Sequence, residues 1–307
     1  MIAALFPGQN SQVVGMGHDL YKGGGAARRA LDEAERALPG LLKLMWEGPE
    51  EALKKTAHQQ PALVAVGAAA FAAYLEEGGE APAYAAGHSL GEFTAHVAAG
   101  SLALGDAVRL VHKRGQYMQD AVPEGVGAMA AILKTGRDHV ERVCQAVAAE
   151  GGVVEVANLN APEQTVISGE AGAVEAAAAR LKAEGARVVR LNVSAPFHCR
   201  LMRPAAERLA RDLRAVAFAP PRFPVLCNVT ADVLPDIREA PRLLEAQVTA
   251  PVRWTETLER LQALGVTRTL EFGSGAVLSG LVKRTLTGVS AHAVTDRESL
   301  AAVKGPV

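Results

Sequence analysis

The stretch AYAAGHSLGEFTAH, residues 83–96, contains the residue pattern with the clearest chemical content in the chain: G-x-S-x-G, centred on Ser89. Preceded by a short apolar run and followed by a helical pattern, that spacing can place a serine on a sharp strand-to-helix turn with its hydroxyl presented for nucleophilic attack. The same residues, S-L-G-E, also fit a helix cap in which Ser89 and Glu92 bond each other's backbone N–H. With 30 glycines and nine serines in 307 residues, composition alone produces such a motif at roughly 0.1 per chain. Partners elsewhere in the sequence must therefore decide between the two readings.

A serine hydroxyl is a weak nucleophile until an imidazole accepts its proton. Of eight histidines, His198 in NVSAPFHCRLM is the candidate base. It follows a strand that returns the chain to its main domain and opens a helix, whose N-terminus disfavours imidazolium. A turn histidine bonded to backbone fits the same local sequence. His88 points away from the site if Ser89 sits on an elbow, and His96 reads as an ordinary residue on the face of the next helix. Acyl transfer also needs donors where charge develops on the carbonyl oxygen. The backbone N–H of Leu90, just after the serine, and that of Gln9, in FPGQNSQ after the first strand, are the candidates.

These residues must be positioned by an α/β scaffold. Strands are predicted at residues 2–6 and 83–86, with helices over 25–38, 49–55, 61–75 and 104–119 and a helix from Ser89 to Gly100. Between Gly125 and Val193 the order becomes strand, helix, strand, strand, helix, strand (GAMAAIL, RDHVERVCQAVAAE, VVEVANLN, QTVISGE, AGAVEAAAARLKAEG, ARVVRLNV). That βαββαβ order is ferredoxin-like. Beyond it come a helix over 200–216, a strand at PVLCNV, the helical VRWTETLERLQALG, a strand at RTLEF and a helix over 275–286. The expected fold is a large α/β domain, residues 1–124 and 193–307, with a mainly parallel sheet flanked by helices in a hydrolase-like core. A small ferredoxin-like subdomain, residues 125–192, is inserted into it.

Composition narrows the function. Hydrophobic content of 49%, charged content of 21% and a net charge of −1 describe a globular chain, with no basic run to recommend nucleic acid. No H-E-x-x-H or Cys/His cluster suggests a metal, and YKGGGAA and GMGHD do not follow a strand in a dinucleotide-binding register. Cys144, Cys199 and Cys227 form no C-x-x-C, which fits a reducing cytoplasm. The N-terminus lacks a basic leader, and the apolar run over 61–75 is short for a membrane span.

Taken together, FPGQNSQ, GHSLGEF, VHKRGQYMQ, NLNAPEQTVISG, SAPFH, QVTAPVRW and EFGSGAVLSGLVKR occur in an order and spacing that resembles the malonyl-CoA:acyl carrier protein transacylases of bacterial fatty acid synthesis, over nearly the whole chain. The resemblance implies that Ser89 is acylated, that His198 is general base and then acid, and that Gln247 orients His198 through its backbone carbonyl. It also implies that Arg114 holds the free carboxylate of the malonyl group and that Gln9, Gln60 and Asn158 line or support the pocket. The implied reaction is ping-pong: malonyl-CoA acylates Ser89, CoA leaves, and the phosphopantetheine thiol of acyl carrier protein takes the malonyl group. No metal or bound cofactor is expected, and the partners are malonyl-CoA and acyl carrier protein, with no nucleic acid or membrane, on a monomer. Arg200, Arg203, Lys283 and Arg284 could offer an acidic carrier a basic surface. The family commonly has glycine at Asn10 and proline at Ser274; asparagine tolerates the left-handed conformation such a glycine would use. Three other readings stay open: a serine esterase or thioesterase, with Asp236 and His292 as the competing late pair, an acyltransferase with the same site that serves polyketide assembly, and a non-catalytic module that binds carrier protein.

Overall fold

The computed structural model describes residues 1–193 and 195–303; Ser194 of the SAPFH motif and residues 304–307 lie outside the described residues. The strands run in chain order β1 (Ile2–Phe6), β2 (Tyr84–Gly87), β3 (Gly127–Leu133), β4 (Val154–Ala161), β5 (Gln164–Glu170), β6 (Arg187–Arg190), β7 (Val225–Cys227), β8 (Asp232–Val233), β9 (Arg268–Phe272) and β10 (Ser290–Val294). Six of them form one sheet in the order β10-β9-β1-β2-β7-β8, and four form a second in the order β4-β5-β3-β6.

In the large sheet every neighbouring pair is parallel except the short hairpin of β7 and β8. Helices cover both faces of such a sheet, which is why β1, IAALF, is apolar and buried at every position. The register places Phe6 beside Gly87 and Ala86 beside Leu226. The carboxyl ends of β1, β2 and β7 therefore open on the same edge, where ligands of parallel sheets collect. The loop with Gln9, the turn with Ser89 and the turn with Asn228 leave from these three neighbours.

The second sheet is antiparallel throughout, and its 2-3-1-4 order is that of a ferredoxin-like unit. Helices Arg137–Ala149 and Ala171–Ala183 pack on one face around Ile132, Val140, Ile167, Val174 and Leu181. A bulge in β4 at Asn158 ties this sheet to the rest of the chain. There Leu159 N–H donates to Val252 O at 2.9 Å, and Val252 N–H donates to Ala157 O at 2.9 Å.

Several elements differ from the sequence reading. The helix assigned to 61–75 runs Thr56–Glu76, with Pro61 in its interior. Proline leaves the carbonyl four residues earlier without its helical donor, and here the Ala57 carbonyl accepts instead from His112 Nδ1 at 2.7 Å. A contact from a distant helix thus overrides the local signal for a helix start. The strand expected over 186–193 runs Arg187–Arg190; Leu191 N–H makes one more bond to β3, at Met129 O (3.0 Å), and Leu191 and Val193 line a cavity. Strand β10 and helices His18–Gly23, Leu41–Glu47, Ala240–Ala246 and Arg297–Ala302 escape the sequence reading because they are short or lie at edges.

The strand-to-helix turn leaves no room for side chains at its glycines. A Cβ on Gly87 would lie 1.9 Å from the Gly91 carbonyl, and one on Gly91 would lie 2.1 Å from Phe6 O. Both obstacles are backbone and cannot rotate away. Gly91→Ala should therefore lower stability by about 3 kcal/mol or more, read as a shift in the urea midpoint. A parental midpoint would show that β1 and the helix following Ser89 are not in this close contact.

Candidate active site

Ser89 sits in the left-handed region at φ 53°, a backbone conformation that costs a non-glycine residue about 1–3 kcal/mol and persists only where its surroundings enforce it. The enforcement is visible. Ser89 N–H donates to Asn228 Oδ1 at 2.7 Å, and Ser89 O accepts from Gln247 Nε2 at 3.0 Å. Asn228 Nδ2 in turn holds Gly87 O at 2.7 Å. The helix-cap reading fails here: the helix begins at Gly91 without a side-chain cap, and the Glu92 carboxylate accepts from Asn228 N–H and Gln247 Nε2. The Ser89 hydroxyl points into the site.

There it meets His198, with Ser89 Oγ 2.8 Å from His198 Nε2. His198 Nδ1 lies 2.9 Å from the Gln247 carbonyl, which only accepts, so Nδ1 carries the proton and Nε2 is left to accept from the serine. His198 also has a left-handed backbone, φ 60°. Burial pushes its pKa down to about 3, with the positive charge of Arg114 acting in the same direction. The neutrality attributed above to a helix N-terminus arises from these two causes. The ring lies in a turn ahead of helix Arg203–Arg214, which is preceded by a 3₁₀ turn over Arg200–Met202.

Arg114, on helix Leu104–Asp120, is 1% exposed. Its Nη2 donates to Ser89 Oγ at 3.1 Å and to Gln247 Oε1 at 3.0 Å, while Nη1 donates to Gln60 Oε1 at 2.8 Å. Gln60 Nε2 is 3.5 Å from Gln9 Oε1, and Gln9 Nε2 donates to Gln59 Oε1 at 2.7 Å. A chain of amides therefore runs from the first loop to the guanidinium. Burial lowers the Arg114 pKa to about 10, partly countered by Glu92, and the group remains a cation at neutral pH.

Gln9, Asn10, Ser89, Asn158 and His198 share a cavity of about 260 Å³ whose other walls come mainly from the small sheet and helix Val277–Thr285. Asn10 has φ 71°, the left-handed conformation expected of it. Among the described residues, the backbone N–H groups of Gln9 and Leu90 have no acceptor. Arg284 lines the cavity and bonds Gln164 Oε1 at 3.0 Å, whereas Arg200 is paired with Glu155.

Three sequence expectations need correction. His88 does face the cavity, with Nε2 2.8 Å from Asn160 Oδ1, because its ring turns under Gly8 and toward the small sheet. His96 is not on a helix surface; it is fully buried, Nδ1 2.8 Å from Ser101 Oγ, and burial takes its pKa down to about 4. The alternative pair does not form, since Asp236 binds Arg238 and His292 is exposed on β10. The sequence reading also missed Asn228 and the carboxylate role of Glu92. Asn228 stands at the end of a strand, and only the adjacency of β7 to β2 reveals its use.

Comparison with known proteins agrees with this architecture. A sequence model of the acyl transferase domain matches residues 4–302, and the chain belongs to that family. Within it, the malonyl CoA-acyl carrier protein transacylase of Bacillus subtilis strain 168 is 46% identical over 301 residues, spanning 97% of this chain and 95% of the relative. The Escherichia coli K12 protein of the same name is 44% identical over 305 residues, spanning 98% and 97%. An acyl carrier protein S-malonyltransferase from Vibrio cholerae superposes with a TM-score of 0.96 at 43% identity, covering 99% of each chain. A malonyl-transacylase solved with its type II PKS acyl-carrier protein superposes at 0.95, with 44% identity and 98% of each chain covered. The chain is thus a member of the malonyl CoA-acyl carrier protein transacylases.

An imidazole held neutral by burial has a consequence for pH. With the His198 pKa down at about 3, the maximal rate of Ser89 acylation by p-nitrophenyl acetate, measured above a Ser89→Ala background, should stay level from about pH 8 to about pH 5. A loss centred near ~6.5, the ordinary imidazole value, would show that His198 is not so held.

Proposed function

We propose that the chain transfers the malonyl group of malonyl-CoA to the phosphopantetheine thiol of acyl carrier protein through a malonyl ester on Ser89. The observation that carries this reading is the meeting, at one buried oxygen, of the Nε2 of His198 at 2.8 Å and the guanidinium of Arg114 at 3.1 Å. The first joins a nucleophile to its base. The second places a fixed cation beside the reacting carbonyl, where an acyl group bearing a carboxylate would set it.

In the first half-reaction Ser89 Oγ attacks the thioester carbonyl as its proton passes to His198 Nε2. The backbone N–H groups of Gln9 and Leu90 receive the charge that develops on the carbonyl oxygen. The C–S bond then breaks, and the proton on Nε2 goes to the departing CoA sulfur. The second half-reaction reverses these steps with the carrier thiol: its proton passes to Nε2, its sulfur attacks the ester, and Ser89 Oγ recovers the proton. Only side chains and backbone of this chain act in these steps, and no cofactor enters the proposal.

Gln247 serves this chemistry in two ways. Its carbonyl orients His198, and its side-chain oxygen accepts from Arg114. A carboxylate in that place would bind the guanidinium as a salt bridge and compete with the substrate carboxylate. A neutral amide holds the arginine without claiming its charge. Hydrogen bonds to charged groups contribute about 1.5–3 kcal/mol each, so a malonyl carboxylate can displace the weaker contacts to Ser89 and Gln247. An acetyl group offers no such exchange, which favours malonyl donors.

We place the reaction in the cytoplasm, in fatty acid synthesis, on a monomer. Gln60 supports Arg114, and Asn158 supports the cavity wall. All three cysteines are buried and unpaired, in keeping with a reducing compartment. The hydrolase reading shares the acyl-serine step but ends in water. In a single turnover, malonyl-loaded protein mixed with holo acyl carrier protein should yield malonyl carrier; release of free malonate with no carrier product would favour the hydrolase.

Arg114→Ala should reduce kcat/KM for malonyl-CoA on the order of 100-fold or more, the equivalent of two charged hydrogen bonds, and acetyl-CoA by much less. Equal losses for the two donors would remove Arg114 from carboxylate recognition.

A further inference from the structure

The carboxylate of Glu92 has no part in the steps above, yet it is 1% exposed and lies next to the groups that do. One of its oxygens accepts two hydrogen bonds, from Asn228 N–H at 3.0 Å and from Gln247 Nε2 at 2.7 Å. Those two residues hold the Ser89 backbone from both sides, by its N–H and by its carbonyl. The remaining amide atom of Gln247, Oε1, accepts from Arg114 Nη2. Glu92 is therefore the point at which the serine turn and the arginine are joined.

Resting on the acyl-transfer reading, we propose that Glu92 is a positioning residue: its single shared oxygen fixes Asn228 and Gln247, and through them the left-handed backbone of Ser89 and the aim of Arg114, while its negative charge offsets part of the charge on Arg114. A neutral acceptor would satisfy the same two donors, so the geometry alone does not call for a carboxylate. Burying an anion is costly unless a cation compensates it. The cation available is Arg114, whose charge acts on Glu92.

Burial lifts the Glu92 pKa to about 7, against the pull of its hydrogen bonds and of Arg114. The groups that face it are Arg114 from helix Leu104–Asp120, the Cys227 thiol from β7 and, beyond Gln247, the neutral His198; Asn228 and Gln247 carry no charge. As pH rises through that value Glu92 ionises, and the added negative charge weakens the attraction of Arg114 for an acyl carboxylate. The KM for malonyl-CoA should rise across this range. That for acetyl-CoA, which has no carboxylate to hold, should not.

Two substitutions separate the roles. Glu92→Gln keeps an oxygen for both donors and removes the charge; Glu92→Ala removes both. Rapid-quench acylation of the full chain, with folding checked by circular dichroism, is measured with malonyl-CoA and acetyl-CoA over the neutral range. Glu92→Ala should lose about 100-fold in acylation rate with both donors, the effect of a reacting group displaced by an ångström. Glu92→Gln should recover most of that loss and flatten the pH dependence of the malonyl-CoA KM. A folded Glu92→Ala with parental rates, or a Glu92→Gln with the parental pH dependence, overturns the proposal. If Glu92→Ala does not fold, the pH dependence of Glu92→Gln decides alone. Acylation of the parent at Ser89 is scored separately, so loss of the transfer reading is not mistaken for loss of this one.

Discussion

A hydrogen bond of 2.8 Å between Ser89 Oγ and His198 Nε2 joins residues 109 positions apart, and much of the architecture is arranged to hold its two ends. Both residues have positive φ, a conformation paid for by contacts made elsewhere in the fold. For Ser89 these are the side chains of Asn228 and Gln247, delivered by β7 and by the segment after helix Ala240–Ala246. For His198 it is the carbonyl of the same Gln247. Gln247 is thus bonded to the serine, the histidine, the arginine and the glutamate, and is 0% exposed.

The second constraint is electrostatic. Arg114 is a cation buried beside an imidazole, and the burial that would strengthen its hold on a substrate carboxylate goes with a depressed His198, lowered by burial and by the Arg114 charge. A carboxylate orienting the histidine would raise the basicity of the ring and capture the arginine at the same time. With a carbonyl in that position the imidazole stays neutral and the guanidinium keeps an exchangeable partner. Gln60 and Gln247 supply neutral acceptors on either side of it. Arg114 is thus a fixed cation flanked by neutral amides, which suits an acyl group carrying its own anion.

The parts of this account readable from sequence are those set by local spacing. G-x-S-x-G requires a turn in which Gly87 and Gly91 pass within contact of backbone, and the glycine positions state that directly. The βαββαβ order of the second sheet follows from alternating periodicity within one continuous stretch. Assigning His198, Arg114 and Gln247 took the joint pattern of motifs, because a histidine in a turn or an arginine on a helix has many local uses. What stayed hidden depends on neighbours distant in sequence. Asn228 matters only because β7 lies beside β2, Pro61 is tolerated mid-helix only because His112 reaches Ala57, and His96 is buried by packing that its own helix does not disclose. Glu92 read as half of a helix cap because the cap rule sees four consecutive residues, whereas its partners come from two other segments.

The central claim is that the Ser89 hydroxyl gives its proton to His198 as it is acylated. Intact-protein mass spectrometry with peptide mapping, on samples quenched within a single turnover of malonyl-CoA, reads it directly. The parent should carry one malonyl group on Ser89, and His198→Ala should carry almost none at the same times while keeping the parental fold. Rapid acylation of Ser89 in the His198→Ala protein, or a parental adduct on any other residue, would contradict the account.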